Sequence, residues 1–169
     1  MASPTDDDAD RAARADMITV GWREWVALPD LAIPAIKAKI DTGARTSALH
    51  AFAVDRYTER GAPWVHLRIH PRQRNLDAVI KTDVPIIDER VVSDSGGHRE
   101  KRIVVASALL LGGRSWPIEL TVTGRDRMLF RLLIGRTAMA GRMLVDPRRS
   151  YLTGKPPKKK KKKSRRKDA

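Results

Sequence analysis

Apolar residues recur at every second position in several short runs of this chain, and turn residues bound those runs. In Trp64 to His70, Val65, Leu67 and Ile69 face one way while His66, Arg68 and His70 face the other. Ile36, Ala38 and Ile40 repeat the pattern within Ala35 to Ile40. A period of two does not line one side of a helix, so these segments are committed to half-buried strands. Ile18 to Leu28, Ala78 to Ile87, Arg90 to Val92 and Ile103 to Leu111 read as further strands. Gly112 and Gly113 supply a hairpin turn into Trp116 to Val122. Leu129 to Ile134 is a nearly continuous apolar run, expected of a buried strand. Only Thr137 to Met143 has a helical look. Many short strands with regular turns predict an all-β fold, closed or sandwich-like, with one short helix toward the C-terminal end.

Charge divides the chain into three parts. Lys155 to Ala169 holds ten Lys/Arg and one acid, a net of +9 out of the total of +14. Met1 to Asp16 is net −3, and the residues between carry the remaining +8. Residues 1–16 show no apolar periodicity and are expected to be a disordered acidic leader. Residues 153–169 are expected to be a disordered basic tail, self-repelling and of low complexity. Residues 17–152 form the predicted domain, and no internal repeat divides it. The chain has no cysteine, which excludes a disulfide framework and thiolate zinc sites. Its start lacks the basic and apolar segments of a signal peptide, and no apolar run is long enough to span a bilayer. The expected location is the cytoplasm.

One carboxylate stands out. Asp41 follows the alternating strand that ends at Ile40 and precedes Thr42, Gly43 and Ala44. Gly43 lets the backbone turn sharply, and Thr46, Ser47 and Ala48 resume an extended course. The product is a strand, a loop bearing one acid, and a second strand, with backbone amides and the Thr42 hydroxyl available to hold the acid. Asp, Thr and Gly also favour ordinary turns, so the tripeptide alone decides little.

Its context decides more. AKIDTGARTSALHA, the glycine-tipped hairpin VVSDSGGHREKRIVV (Val91 to Val105) and LLIGRTAM (Leu132 to Met139) occur in the chain order of an active-site loop, a flap and a strand before a short helix. Together they resemble the retropepsin-like aspartic proteases. GRSWPIELTVTGRDRM and the closing GRMLVDPRRSYLTG are similar to a bacterial branch of that family. This branch carries the label ATP-dependent zinc protease and is associated with ATP-grasp ligases that add glutamate to ribosomal protein. The resemblance implies a small closed acid-protease barrel.

It also implies an activity and its residues. Aspartic proteolysis needs two carboxylates sharing one proton, one acting as base on water and the other polarising the scissile carbonyl. One Asp-Thr-Gly is present, so the simpler expectation is a homodimer with Asp41 and its mate at a two-fold axis. Asp126 or Asp146 as a second acid within one chain is the other option. Thr42 and Gly43 complete the catalytic loop, with Thr42 bracing the two loops across the dimer. Ala44, Arg45, Ser95, Gly96 and Gly97 would contact peptide or protein substrate, the glycines letting the flap bend. Gly135 and Arg136 would support the loop. Retroviral members often carry an acid where Arg45 stands, so the ion pair at the dimer base differs here, and Arg45 either meets an acidic substrate residue or remains a solvated charge. No cofactor is expected. His50, His66, His70 and His98 include no HExxH; His66 and His70 share a strand face, which leaves a chelating pair as a minor reading. No phosphate loop is present, so ATP would act through a partner. The rival reading keeps the fold without proteolysis: a peptide- or polyanion-binding partner of an ATP-grasp ligase or the ribosome, with weak polyanion binding by residues 155–169.

Overall fold

The computed structural model describes residues 5–94, 96–124 and 128–157. The protein is mostly β, as the alternation predicts. Its centre is a ring of six strands: β10 (Arg114–Thr123), β4 (Ser47–His50), β11 (Leu132–Ile134), β3 (Ile33–Ile40), β2 (Arg23–Leu28) and β9 (Arg99–Leu111) are paired in that order, and β9 pairs again with β10. The closure is thin on one side, where β2 meets β9 at the single register pair Ala27 and Leu110. Closure removes the exposed edges that an open sheet of this size would carry. The ring is filled by the apolar halves of the alternating strands. Ile36, Ala38, Ile40, Leu49, Val105, Leu109, Leu120, Leu132 and Ile134 belong to one buried cluster.

Two smaller sheets flank the ring. β5 (Ala53–Glu59), β6 (Ala62–Ile69) and β7 (Ile80–Pro85) form an antiparallel sheet, and Val65, Leu67, Ile69 and Val84 send their side chains into the same core. β1 (Ile18–Gly21) pairs in parallel with β12 (Met143–Asp146), joining the two ends of the domain. β8 (Asp88–Ser93) pairs with the first half of β9, so this hairpin projects beyond the ring.

Several elements differ from the sequence expectation. Ile18 to Leu28 is two strands, because the chain turns at Trp22, whose N–H donates to the Arg149 carbonyl at 2.9 Å. The helix α2 spans only Arg136–Met139; Gly141 lies at φ 73 and ends it, and Met143 opens a strand. β5 gave no period-two signal because nearly all its residues face solvent. Within the acidic leader, Asp6–Ala15 forms the helix α1 rather than an unfolded segment. A capping box between Thr5 and Asp8, three acids in the first turn and an Arg14–Asp10 ion pair stabilise it locally, and it buries no side chain. No helix among the described residues is long and apolar enough to cross a membrane.

Candidate active site

Asp41 lies at the point where three strands diverge. β3 ends at Ile40, β11 runs parallel to it through Ile134 opposite Ile40, and β4 runs antiparallel to β11. The Asp41 N–H donates to the Ile134 carbonyl at 2.9 Å, which fixes the loop's root. The loop then closes on itself: the Gly43 N–H donates to Asp41 Oδ1 at 3.0 Å, and the Ala44 N–H to the Asp41 carbonyl at 3.2 Å. The start of α2 holds the loop from the other side. The Arg136 N–H donates to the Ala44 carbonyl at 2.9 Å, the Thr137 N–H to the Arg45 carbonyl at 3.0 Å, and an Arg136 guanidinium N–H to the Thr42 carbonyl at 3.1 Å.

Gly135 makes this docking possible. A Cβ at that position would lie 2.5 to 2.9 Å from the Thr46 backbone, closer than packing allows. Its N–H donates to Ser47 Oγ at 3.0 Å, and the buried Ser47 carbonyl in turn accepts from the Thr121 hydroxyl at 3.1 Å. Trp116 Nε1 donates to the Ala138 carbonyl at 2.9 Å and ties α2 to β10. Ser47, Thr121 and Trp116 were not singled out in the sequence. Their signal is faint, since each is an ordinary strand residue whose partner is distant in the chain.

Asp41, Gly43, Ala44, Arg45 and Arg136 line one open cleft of about 1440 Å³. Its far wall is the β8–β9 hairpin, contributing Arg90 to Asp94, Arg102 and Val104, with Glu119 and Thr121 of β10 beneath. Thr42 is exposed and contributes only its carbonyl to the loop bonds above. Gly96 and Gly97 sit at the hairpin tip, outside the cleft lining, and Ser95 lies outside the described residues. The tip is shaped by Asp94, whose Oδ1 accepts from the N–H groups of Gly96 and His98 at 2.9 Å each. Gly97 lies at φ 81, a conformation that suits glycine.

Charge in the cleft is dominated by guanidinium groups. Arg90 and Arg102 face each other across the hairpin in register. Arg90 bonds Glu119 at 2.6 Å and Asp88 at 2.8 Å, which raise its already high pKa, Glu119 most. Arg102 bonds Glu100 at 2.9 Å. The neighbouring Glu89 is held below the ordinary glutamate range by a hydrogen bond from Lys101 and then one from Arg56. Arg45 and Arg136 add two further cations. Among the described residues the carboxylates lining the cleft are Asp41, Asp94 and Glu119, and the last two are committed to the hairpin turn and to Arg90.

Of the two candidates for a second acid within the chain, one lies among the described residues. Asp146 lies outside the cleft lining and is held by Arg148, whose hydrogen bonds lower its pKa. Asp126 lies outside the described residues. The histidines also disperse. His66 Nδ1 lies 2.9 Å from Asp83 Oδ1, which also accepts from the Tyr57 hydroxyl. His70 stacks on Phe52 at 4.1 Å instead of joining His66. No group of three His, Cys, Asp or Glu side chains suited to a metal ion occurs among the described residues. The pair His66–Asp83 supplies two donors, one fewer than the three protein ligands of an ordinary catalytic zinc.

A family model described as RimB-like, retropepsin-like aspartic endopeptidase, matches residues 19–156. Curated relatives are named "Probable alpha-L-glutamate ligase". The protein from Shewanella pealeana is 44% identical over 135 residues, covering 80% of this chain and 30% of that one. The protein from Parasynechococcus marenigrum is 47% identical over 137 residues, covering 81% of this chain and 29% of that one. The chain therefore spans less than a third of the length of these relatives. A crystal structure of a Legionella pneumophila protein of unknown function shares the fold, with a TM-score of 0.67 and 26% identity over 80% of this chain and 98% of the other.

Proposed function

The chain belongs to the RimB-like family of retropepsin-like aspartic endopeptidases, and on that premise we propose that it hydrolyses peptide bonds through two Asp41 carboxylates brought together in a homodimer. The observation that carries this reading is the state of Asp41: it lines a large cleft and, among the described residues, its carboxylate receives one hydrogen bond, from Gly43. A dyad needs a second acid, and the other two carboxylates lining the cleft among the described residues are already engaged. A second copy of Asp41 meets that need, with Thr42 bracing the two loops.

In this mechanism the ionised member of the dyad takes a proton from water as its oxygen attacks the scissile carbonyl. The protonated member donates a hydrogen bond to the carbonyl oxygen as charge develops there. The C–N bond then breaks, and the amine leaves with a proton from the dyad. The β8–β9 hairpin covers the substrate, and Gly96 and Gly97 let its tip bend. Arg45 and Arg136, which have no carboxylate ion pair among the described residues, favour an acidic peptide, and a glutamate-rich one accords with the name borne by the curated relatives. A glutamate ligase, in the same or a separate chain, is the partner this implies.

The relatives' name also favours a second reading, in which the cleft binds acidic peptide for a ligase without cutting it. Incubating wild type and Asp41→Asn with an acidic peptide library, and with the same library neutralised by amidation, separates the two. Cleavage of acidic members by wild type alone supports the peptidase. Binding of acidic members by both forms, with cleavage by neither, supports the second reading.

A further inference from the structure

The outer face of β2 and β3, away from the cleft lining, carries an interleaved layer of aromatic rings and cations. Arg23 and Trp25 point outward from β2, and Lys37 and Lys39 stand opposite Trp25 and Arg23 in register. Lys155 Nζ lies 4.5 Å from the Trp25 ring centre, and Lys37 Nζ lies 5.3 Å from it and 5.8 Å from that of Tyr151. The Arg23 guanidinium lies 5.0 Å from Tyr151 and 4.6 Å from Trp22. Tyr151 is placed in this layer at φ 53, a conformation costly for a residue with a Cβ.

Holding the C-terminal segment on the barrel does not require this layer. Glu24, beneath it, already accepts from the Leu152 and Thr153 N–H groups and the Thr153 hydroxyl, each at 3.1 Å. Arg23, Lys37 and Lys155 have no carboxylate ion pair among the described residues. Arg23 and Lys39, directly opposite each other, are a like-charged cross-strand pair that disfavours the bare sheet.

We propose that this face binds single-stranded nucleic acid, with phosphates on Arg23, Lys37, Lys39 and Lys155 and a base stacked on Trp25. Cations bind any polyanion, but flat rings interleaved with them suit bases. Lys155 is exposed and follows Gly154 at φ 73. It swings off Trp25 as a base arrives, and its ammonium meets the adjoining phosphate. Recognition of this kind has little sequence preference.

The test uses the full chain and a fluorescein-labelled 12-residue oligouridylate, read by anisotropy across a salt series and by tryptophan fluorescence. Wild type and Asp41→Asn should bind alike and show quenching. Lys37→Glu with Lys155→Glu should weaken binding tenfold or more and flatten the slope of log affinity against log salt by about 0.7 per lost contact. Trp25→Leu should remove the quenching. Polyphosphate of equal charge should compete at least tenfold less well than unlabelled oligouridylate. The proposal is overturned if the double charge reversal binds as wild type, or if polyphosphate competes equally and no quenching occurs. Preference for phosphatidylserine vesicles or polyglutamate over the oligonucleotide would overturn it in favour of another polyanion.

Discussion

Glu24 and Asp41 are carboxylates carried by neighbouring paired strands, and they end in opposite circumstances. Glu24, in register with Ala38, has no solvent exposure and accepts four hydrogen bonds, from the N–H groups of Gly21, Leu152 and Thr153 and from the Thr153 hydroxyl. Asp41, just past the end of β3, accepts one among the described residues and opens onto the cleft. Burial of an acid is tolerable where its oxygens are saturated, and such an acid has nothing left to offer a substrate. The first group therefore belongs to the fold, clasping the C-terminal segment to β1 and β2, and the second is the one free to serve the proposed hydrolysis.

Substitutions should separate the two roles. Asp41→Asn should lower peptide hydrolysis by a factor on the order of 10³ or more, with an unchanged denaturant midpoint, both measured on the same preparation. Glu24→Gln should do the reverse. It replaces an all-acceptor group with one that also presents donors to backbone N–H groups, and should cost about 3 kcal/mol in urea unfolding, while turnover per folded molecule stays near wild type. Gly135→Ala falls between them: its methyl meets the Thr46 backbone, so it should cost about 2 kcal/mol and also lower kcat by displacing the Asp41 loop. A loss confined to stability would show that α2 does not set the loop.

The smallest effect concerns pH. Asp88 is held below the ordinary aspartate range, chiefly by the Glu89 N–H, and Glu89 below the glutamate range, chiefly by Lys101. Their contribution is present above the ordinary carboxylate range, about pH 4, and is lost as pH falls through the lowered values. Amide exchange in β8 should therefore quicken in acid before exchange in β3 does, loosening the hairpin ahead of the barrel. Equal acid response in both strands would remove this difference between the two regions.

How much of this could be read from the sequence depends on how local each signal is. The inward faces of β3 and β6 follow from period-two alternation, and the Asp41 loop from contiguous residues. Glu24 was available in principle, since it shares the inward side of β2 with Val26 and Leu28. Its four donors, however, come partly from residues 128 and 129 positions away. β5 carries no pattern because it is exposed on almost every residue. The capping box of α1 sits in the sequence, but is masked by a composition that reads as unfolded. Arg90 and Arg102 become a pair only once β8 and β9 are in register.

Two Asp41 side chains are proposed to act as one catalytic unit, and mixing tests this most directly. Wild type and Asp41→Asn are combined at constant total concentration, allowed to exchange subunits, and assayed on an acidic peptide. If the dyad spans two chains, activity falls as the square of the wild-type fraction. A linear fall, with each chain cutting alone, would contradict the account.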